Sequence, residues 1–584
     1  MAELKEEIEY SLPQPKSNWF TPTYEVYFQG KNLFYTILLA GYAFLVLYPI
    51  LLLFINSFRE GELGQDVGWG LTNWIEAFSH PSLLSALTNT LSITFTVQAI
   101  SITISVVIAW IIARTDLPGR GWIEFSFWIV FFMPTLPLVQ SWILLFDPYV
   151  GVVNQFFASI PFLSWIQFNI FSWEGIVWVH LVTGTIAVKV ILLTPAFRNM
   201  DSSLEEASRV NGANMFTTFT KVIIPVLLPS ILIVLILGII RSLEAFEIEM
   251  ILGGPEKIDV FSTQIYRMIN DANPQHGAAT ALASVILTIM VPLIVLQQWI
   301  TRRGGHATIS GKFKTQKFQL GKFRWLVFSI MLIIVLIMTV IPLLSLLVGT
   351  FMSMYGFFNI DNAFTLANWN LILTRDTFLQ ALKNTLFLAT LMAIISMLLY
   401  SITAYIIVRT KYVGRNLLDF IVWVPYTIPG IIISLGMLWL FLGTKVFQPL
   451  YGTIGILLVA LIFTGITTGI QIIKSNLLQL GNELEEASSL SGASWWYTYR
   501  RIVLPNIAPA MIAVGIFCFS IATKSTASIV LLTTNDTMPL SILQLMYMLD
   551  GSYEASSVVG VIIMVLTIGV ALIVRALGVN MTPK

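Results

Sequence analysis

Few side chains in this 584-residue chain could do chemistry, and several of them interrupt long apolar stretches. The stretch RSLEAFEIEM carries Arg241, Glu244, Glu247 and Glu249, and Lys189 and Lys524 stand alone in two other apolar runs. On one continuous helix Arg241, Glu244 and Glu247 would share a face through their i, i+3 spacing, with Glu249 pointing elsewhere, toward an outer interface. Carboxylates suit a hard cation, which prefers oxygen ligands, whereas Arg241 and Lys524 suit an anion equally well. Such groups fit the passage or gating of a charged solute. Bond-making is not indicated, because no nucleophile–base constellation stands out. His80, His180, His276 and His306 are scattered without metal-ligand spacing, so no metal site is expected. The single Cys518 lies in an apolar run, as a small hydrophobe would, and excludes an intrachain disulfide.

Those residues must be positioned by elements that cannot be soluble. The chain is 56% apolar and only 11% charged, against roughly 25% charged in a soluble domain. The excess comes in runs of the length that crosses a bilayer, about 20 residues each. Aromatics make up 13%, including 17 Trp, which suits a protein with two membrane–water interfaces. Lys plus Arg nearly equals Asp plus Glu, 32 against 31, so no net field recruits nucleic acid. The acidic start MAELKEEIEY does not read as a cleavable signal peptide.

The apolar runs predict an all-α membrane protein of twelve spans in two sets of six. The first set falls near 33–57, 86–113, 121–146, 173–196, 223–252 and 278–300, and the second near 325–350, 379–408, 417–442, 453–474, 503–532 and 556–578. This divides the chain into an N-terminal segment 1–32, a first half 33–300, a basic linker 301–324 and a second half 325–584. With an N-terminus inside, about 23 of the 32 Lys and Arg residues fall on the cytoplasmic side. The positive-inside rule therefore puts both termini in the cytoplasm.

The halves are a duplication. LTNW at 71–74 returns as LANW at 366–369, displaced by 295, and Asn89-Thr90, Arg114-Thr115 and Gly119-Arg120 return at the same displacement. The displacement then falls to 280, at which LEEAS at 204–208 returns at 484–488. An even number of spans per repeat inserts both halves the same way up, with the pseudo-two-fold axis along the membrane normal. A solute pathway runs naturally down such an axis.

After the fourth span of each half comes a related stretch, LEEASRVNGANMFTTFTKVIIPVLLP from Leu204 and LEEASSLSGASWWYTYRRIVLPNIAP from Leu484, with ten of 26 positions identical. The acids suit a helix N-terminus, and Gly212 and Gly492 suit a turn between two short helices. Pro225 and Pro505 are expected to begin the fifth spans, where a missing N–H does little harm. Membrane-surface helices anchored by Trp495 and Trp496 would be the plainer reading.

These two stretches resemble the EAA loop of ABC importer permeases, E-A-x-x-x-x-G followed 13 residues later by Pro. The matching residues are Glu206, Ala207, Gly212 and Pro225, then Glu486, Ala487, Gly492 and Pro505; Ser208 and Ser488 replace the second Ala. The resemblance implies a type I (MetI-like) importer fold with each loop docking on a separate ATPase subunit. Two ATPase copies would bind ATP and Mg, an extracytoplasmic binding protein would deliver substrate, and the chain would sit in a bacterial inner membrane. No G-x-x-x-x-G-K-[ST] phosphate loop occurs here, so the ATPase would be another chain, and the resemblance implies a permease with no cofactor of its own and no enzyme activity. Fused permeases of this kind look most like ferric iron importers, with relatives for thiamine, phosphonate and polyamine. A secondary transporter is the rival from another class.

At the 280 displacement Glu244 corresponds to Lys524, and residues so related meet if both face the axis. A Glu244–Lys524 pair across the pathway is the resulting expectation, against Arg241 neutralising Glu244 within its own helix. Lys189 is expected to face the pathway, with no partner legible. Pro134, Pro137, Pro425 and Pro429 should interrupt the two third spans, as breaks beside a pathway do.

Overall fold

A computed structural model describes residues 30–60, 68–201, 203–304 and 318–576. The N-terminal segment up to 29 and most of the basic linker, including Lys312, Lys314 and Lys317, lie outside the described residues. The described residues are mostly helical, joined by loops, with one small hairpin in which Arg59–Glu60 pairs antiparallel with Gly68–Trp69. Ten helices are long and apolar enough to cross a membrane, and two bent helix pairs raise the number to twelve if each pair is one span. Helix is what the composition demands, because hydrocarbon offers no partner to an unpaired backbone group.

The bent pairs are the two third spans. Arg120–Phe132 and Thr135–Phe146 meet at 102°, and Arg415–Thr427 and Gly430–Gly443 at 112°. Pro134 and Pro429 stand at the breaks, where each lacks the N–H that would continue the ladder. The expected interruptions are therefore real and occur at matching places.

The fifth spans are shorter at their far end than the apolar runs suggested. The first is Met215–Leu243 and the second Trp495–Lys524. Beyond Leu243 the chain turns through Ala245 and Phe246 and begins a separate helix, Glu247–Glu256. Arg241, Glu244 and Glu247 thus do not share one helix face. The turn is buried on the side of Phe246, Ile248, Ile251 and Leu252, so packing overrides an apolar run that looked continuous. At the near end the helices start earlier than expected. Pro225 and Pro505 follow π-helical turns, Phe219–Ile223 and Tyr499–Val503, within longer helices.

The halves interlock through their first spans. Helix Gly30–Ser57 packs on both pieces of the broken third span of the second half, and the helix ending at Phe351 packs on that of the first half.

The repeated dipeptides serve as clamps. Asn73 Nδ2 donates to the Arg59 carbonyl at 2.7 Å, and Asn368 Nδ2 to the Met352 carbonyl at 2.7 Å. Asn89 Nδ2 reaches the Asp259 carbonyl at 3.0 Å, and Asn384 Nδ2 the Asp536 carbonyl at 2.9 Å. Thr90 and Thr385 accept the backbone N–H of Phe261 and Leu540 at 3.0 and 2.8 Å. In each half the second span thereby holds the segment that returns after the fifth.

Candidate functional site

The two LEEAS stretches fold alike. Helices Ser203–Val210 and Glu483–Leu490 end in Gly212 and Gly492, whose φ angles are +79° and +80°. Glycine carries no Cβ penalty in this left-handed region. A second short helix follows, capped by the Asn214 side chain accepting from Thr217 N at 2.8 Å and by Ser494 accepting from Tyr497 N at 3.3 Å. Ser208 Oγ lies 3.0 Å from Thr218 Oγ1, and Ser488 Oγ 2.8 Å from Thr498 Oγ1. A serine in place of the second Ala therefore ties the two short helices together. Ahead of the first loop, the Ser203 backbone and hydroxyl hold the Asp201 carboxyl below the ordinary carboxylate range.

Within each Glu-Glu doublet the two carboxylates point apart. Glu205 is buried against Arg114, with Nη2 to Oε1 at 2.8 Å, and Glu485 meets Arg409, with Nε to Oε1 at 3.1 Å. Glu206 is half-buried, and Glu486, Ala207 and Ala487 are exposed. Sequence reasoning chose Glu206 and Glu486 and missed Glu205 and Glu485. The signal was present, since Arg114-Thr115 and LEEAS repeat together. Trp495 stacks on Tyr499 at 5.9 Å and meets Tyr35 of the first span edge-on at 5.7 Å, so it packs within the protein.

Where the halves meet, each fifth span ends against the broken third span of the other half. The Arg241 guanidinium lies 4.7 Å from the centre of the Tyr426 ring, beside one break. Lys524 Nζ donates to the Phe131 carbonyl at 2.8 Å, beside the other. That carbonyl precedes the Pro134 break and so lacks its helical N–H partner. The expected Glu244–Lys524 pair is not formed. Glu244 Oε2 accepts from Arg241 Nη1 at 2.8 Å within its own chain segment, and Arg241 keeps 51% of its side chain exposed. Glu247, beside Thr135 and Thr526, is the carboxylate on the Lys524 side.

Lys189 also falls elsewhere than expected. Lys189 is buried within the first half and donates to Ser101 Oγ at 2.6 Å. At the 280 displacement its counterpart is Gly469, over which the Tyr400 ring lies so closely that a Cβ would stand 2.4 Å from it. Lysine fills in one half the volume a tyrosine fills in the other. Glu249 is buried, and its Oε1 lies 2.7 Å from His180 Nε2. Among the described residues no group of three or more His, Cys, Asp or Glu side chains could hold a metal ion.

A duplicated helical membrane unit with one such loop in each half defines a class. Residues 101–305 and 401–582 match the binding-protein-dependent transport system inner membrane component, and the chain belongs to that family of ABC importer permeases. It is similar to the putative ferric transport system permease protein FbpB 1 of Haemophilus influenzae, 26% identical, covering 85% of this chain and 76% of that protein. It is also similar to the ferric transport system permease protein FbpB of Actinobacillus pleuropneumoniae, 25% identical over 91% and 75%. The sulfate transport system permease protein CysT of Salmonella typhimurium is 27% identical over 40% of this chain and 82% of its own. Among solved structures, a bacterial alginate ABC transporter chain gives a TM-score of 0.41 at 18% identity, covering 49% of this chain and 99% of that one.

Proposed function

We propose that this chain forms the solute pathway of an ATP-driven importer of ferric iron or a similar small ion, driven by two separate ATPase subunits. The observation that carries the reading is the pair of equivalent loops, each presenting Glu206-Ala207 or Glu486-Ala487 outward from a Gly-terminated helix. Two like loops call for two like partners, which would supply the ATP and Mg chemistry. Arg114, Arg198, Arg409 and Arg415 lie at the helix ends on the loop side, and this basic edge supports a cytoplasmic loop side in a bacterial inner membrane. An extracytoplasmic binding protein would then meet the opposite face.

The pathway in this reading runs between the halves, past Arg241, Glu244, Glu247 and Lys524. Closure of the ATPases draws the loops together and shifts each half as an interlocked body. The fifth-span ends then move against the third-span breaks, and the charges there exchange partners as the solute passes. Iron is favoured because the two ferric permeases resemble this chain over most of its length. An anion is the second reading, favoured by the half-exposed Arg241.

Uptake of radioactive ferric iron by cells carrying this chain, its partner ATPase and the binding protein tests the proposal. Uptake should vanish when the ATPase is removed. Uptake that survives without any ATPase would point to a secondary transporter.

A further inference from the structure

Each loop is held to the membrane body by an arginine on a different span. Arg114 and Arg409 are the last residues of the two second spans, Leu83–Arg114 and Asp376–Arg409. Arg114 reaches Glu205 through both Nε, at 2.9 Å, and Nη2, at 2.8 Å. Arg409 reaches Glu485 through Nε at 3.1 Å, while its Nη2 donates to the carbonyls of Leu477 and Leu480 at 2.8 and 2.6 Å. Tyr405 OH, one turn earlier on the same span, donates to the other oxygen of Glu485 at 3.0 Å. One guanidinium thus fastens the end of the second span, the end of the fourth and the loop helix.

The second span is also the element whose Asn and Thr clamp the segment returning from the fifth span at the opposite end of the molecule. A force on the loop helix therefore has a short rigid route to the interface between the halves. We propose that Arg114–Glu205 and Arg409–Glu485 are positioning pairs that convert movement of an ATPase-bound loop into movement of its half. In each doublet the first Glu anchors the loop, and the second faces the partner. The inference rests on the reading that these loops dock ATPases.

The test uses the full chain expressed with its ATPase and binding protein, because the second pair is the less buried and tolerates substitution better. Arg409→Gln and Glu485→Gln should keep the ATPase copurifying and ATP hydrolysis within about twofold, while ferric iron uptake per ATP falls at least about tenfold. The swap of Arg409→Glu with Glu485→Arg should recover much of the loss, the non-additivity expected of a direct pair. Arg409→Lys, which keeps the charge but not the fork, should be intermediate. Unchanged uptake per ATP in the single variants would overturn the proposal, as would loss of the copurifying ATPase in them or a swap that folds and binds ATPase yet stays as poor as either single. Failure of the underlying reading looks different: the unsubstituted chain would not retain an ATPase at all.

Discussion

Arg409 and Glu485 stand in the same relation as Arg114 and Glu205: the last residue of a second span grips the first acid of the loop that follows the fourth. The two copies differ in depth. Side-chain exposure is 1% and 5% for Arg114 and Glu205 but 9% and 20% for Arg409 and Glu485. Removing one partner of a buried pair strands the other charge, at about 3–5 kcal/mol, and solvent lowers that cost where it can reach. Glu205→Ala should therefore lower the apparent melting temperature of the purified protein more than Glu485→Ala. The opposite order in a thermal unfolding series would contradict this assignment.

The loop glycines make a separate prediction. Nothing lies within 4 Å of a Cβ added at Gly212 or Gly492, so the cost of substitution is conformational. Alanine at φ near +80° should cost about 1–2 kcal/mol, fraying the turn and weakening ATPase copurification. Asn tolerates this region better, so Gly492→Asn should retain more ATPase than Gly492→Ala in a pull-down.

Lys189 and Gly469 can be exchanged in thought through the repeat. Gly469→Ala drives a Cβ into the Tyr400 ring, and overpacking of this kind costs about 1–3 kcal/mol. The first half carries Ser105 at the position of Tyr400. Tyr400 is fully buried and its OH donates to the Ile462 carbonyl at 2.6 Å. Adding Tyr400→Ser to Gly469→Ala should therefore trade the overpacking for a larger cavity cost and lower the melting temperature further by thermal unfolding. Because Lys189 touches its own half, Lys189→Met should leave uptake within about twofold of the unsubstituted chain. A complete loss would return it to the pathway.

At the interface between halves, Lys524→Glu would place a carboxylate against the Phe131 carbonyl and near Glu247. Uptake should fall steeply. A second change, Glu247→Lys, should restore more of it than Glu244→Lys, because Glu244 already belongs to Arg241. Equal rescue by both, measured as initial uptake rate, would mean that the pair across the pathway is not the one described.

Much of this architecture was legible in the sequence. Asn89-Thr90, Asn384-Thr385 and the two Arg-Thr steps recur because each makes a clamp that both halves need, and the third-span prolines announced real breaks. The end of the first fifth span was not legible. Leu243-Glu244-Ala245-Phe246 contains no Gly or Pro, and Ile248 through Leu252 continues the apolar run, so only the burial of Phe246 and its neighbours decides the turn. The partner of Lys189 was equally hidden, since Ser101 is 88 residues away on another span. Which acid of each doublet faces inward depends on where the second span ends in space, not on local spacing.

The central claim is that both loops carry the drive from separate ATPases. The most direct measurement places a cysteine at Ala207 or Ala487, with Cys518 replaced by Ser, and cross-links membranes containing the ATPase. The account predicts a cross-linked ATPase at each position, with yields that change when ATP is added. No cross-link at either position, with uptake persisting after the ATPase is removed, would contradict it.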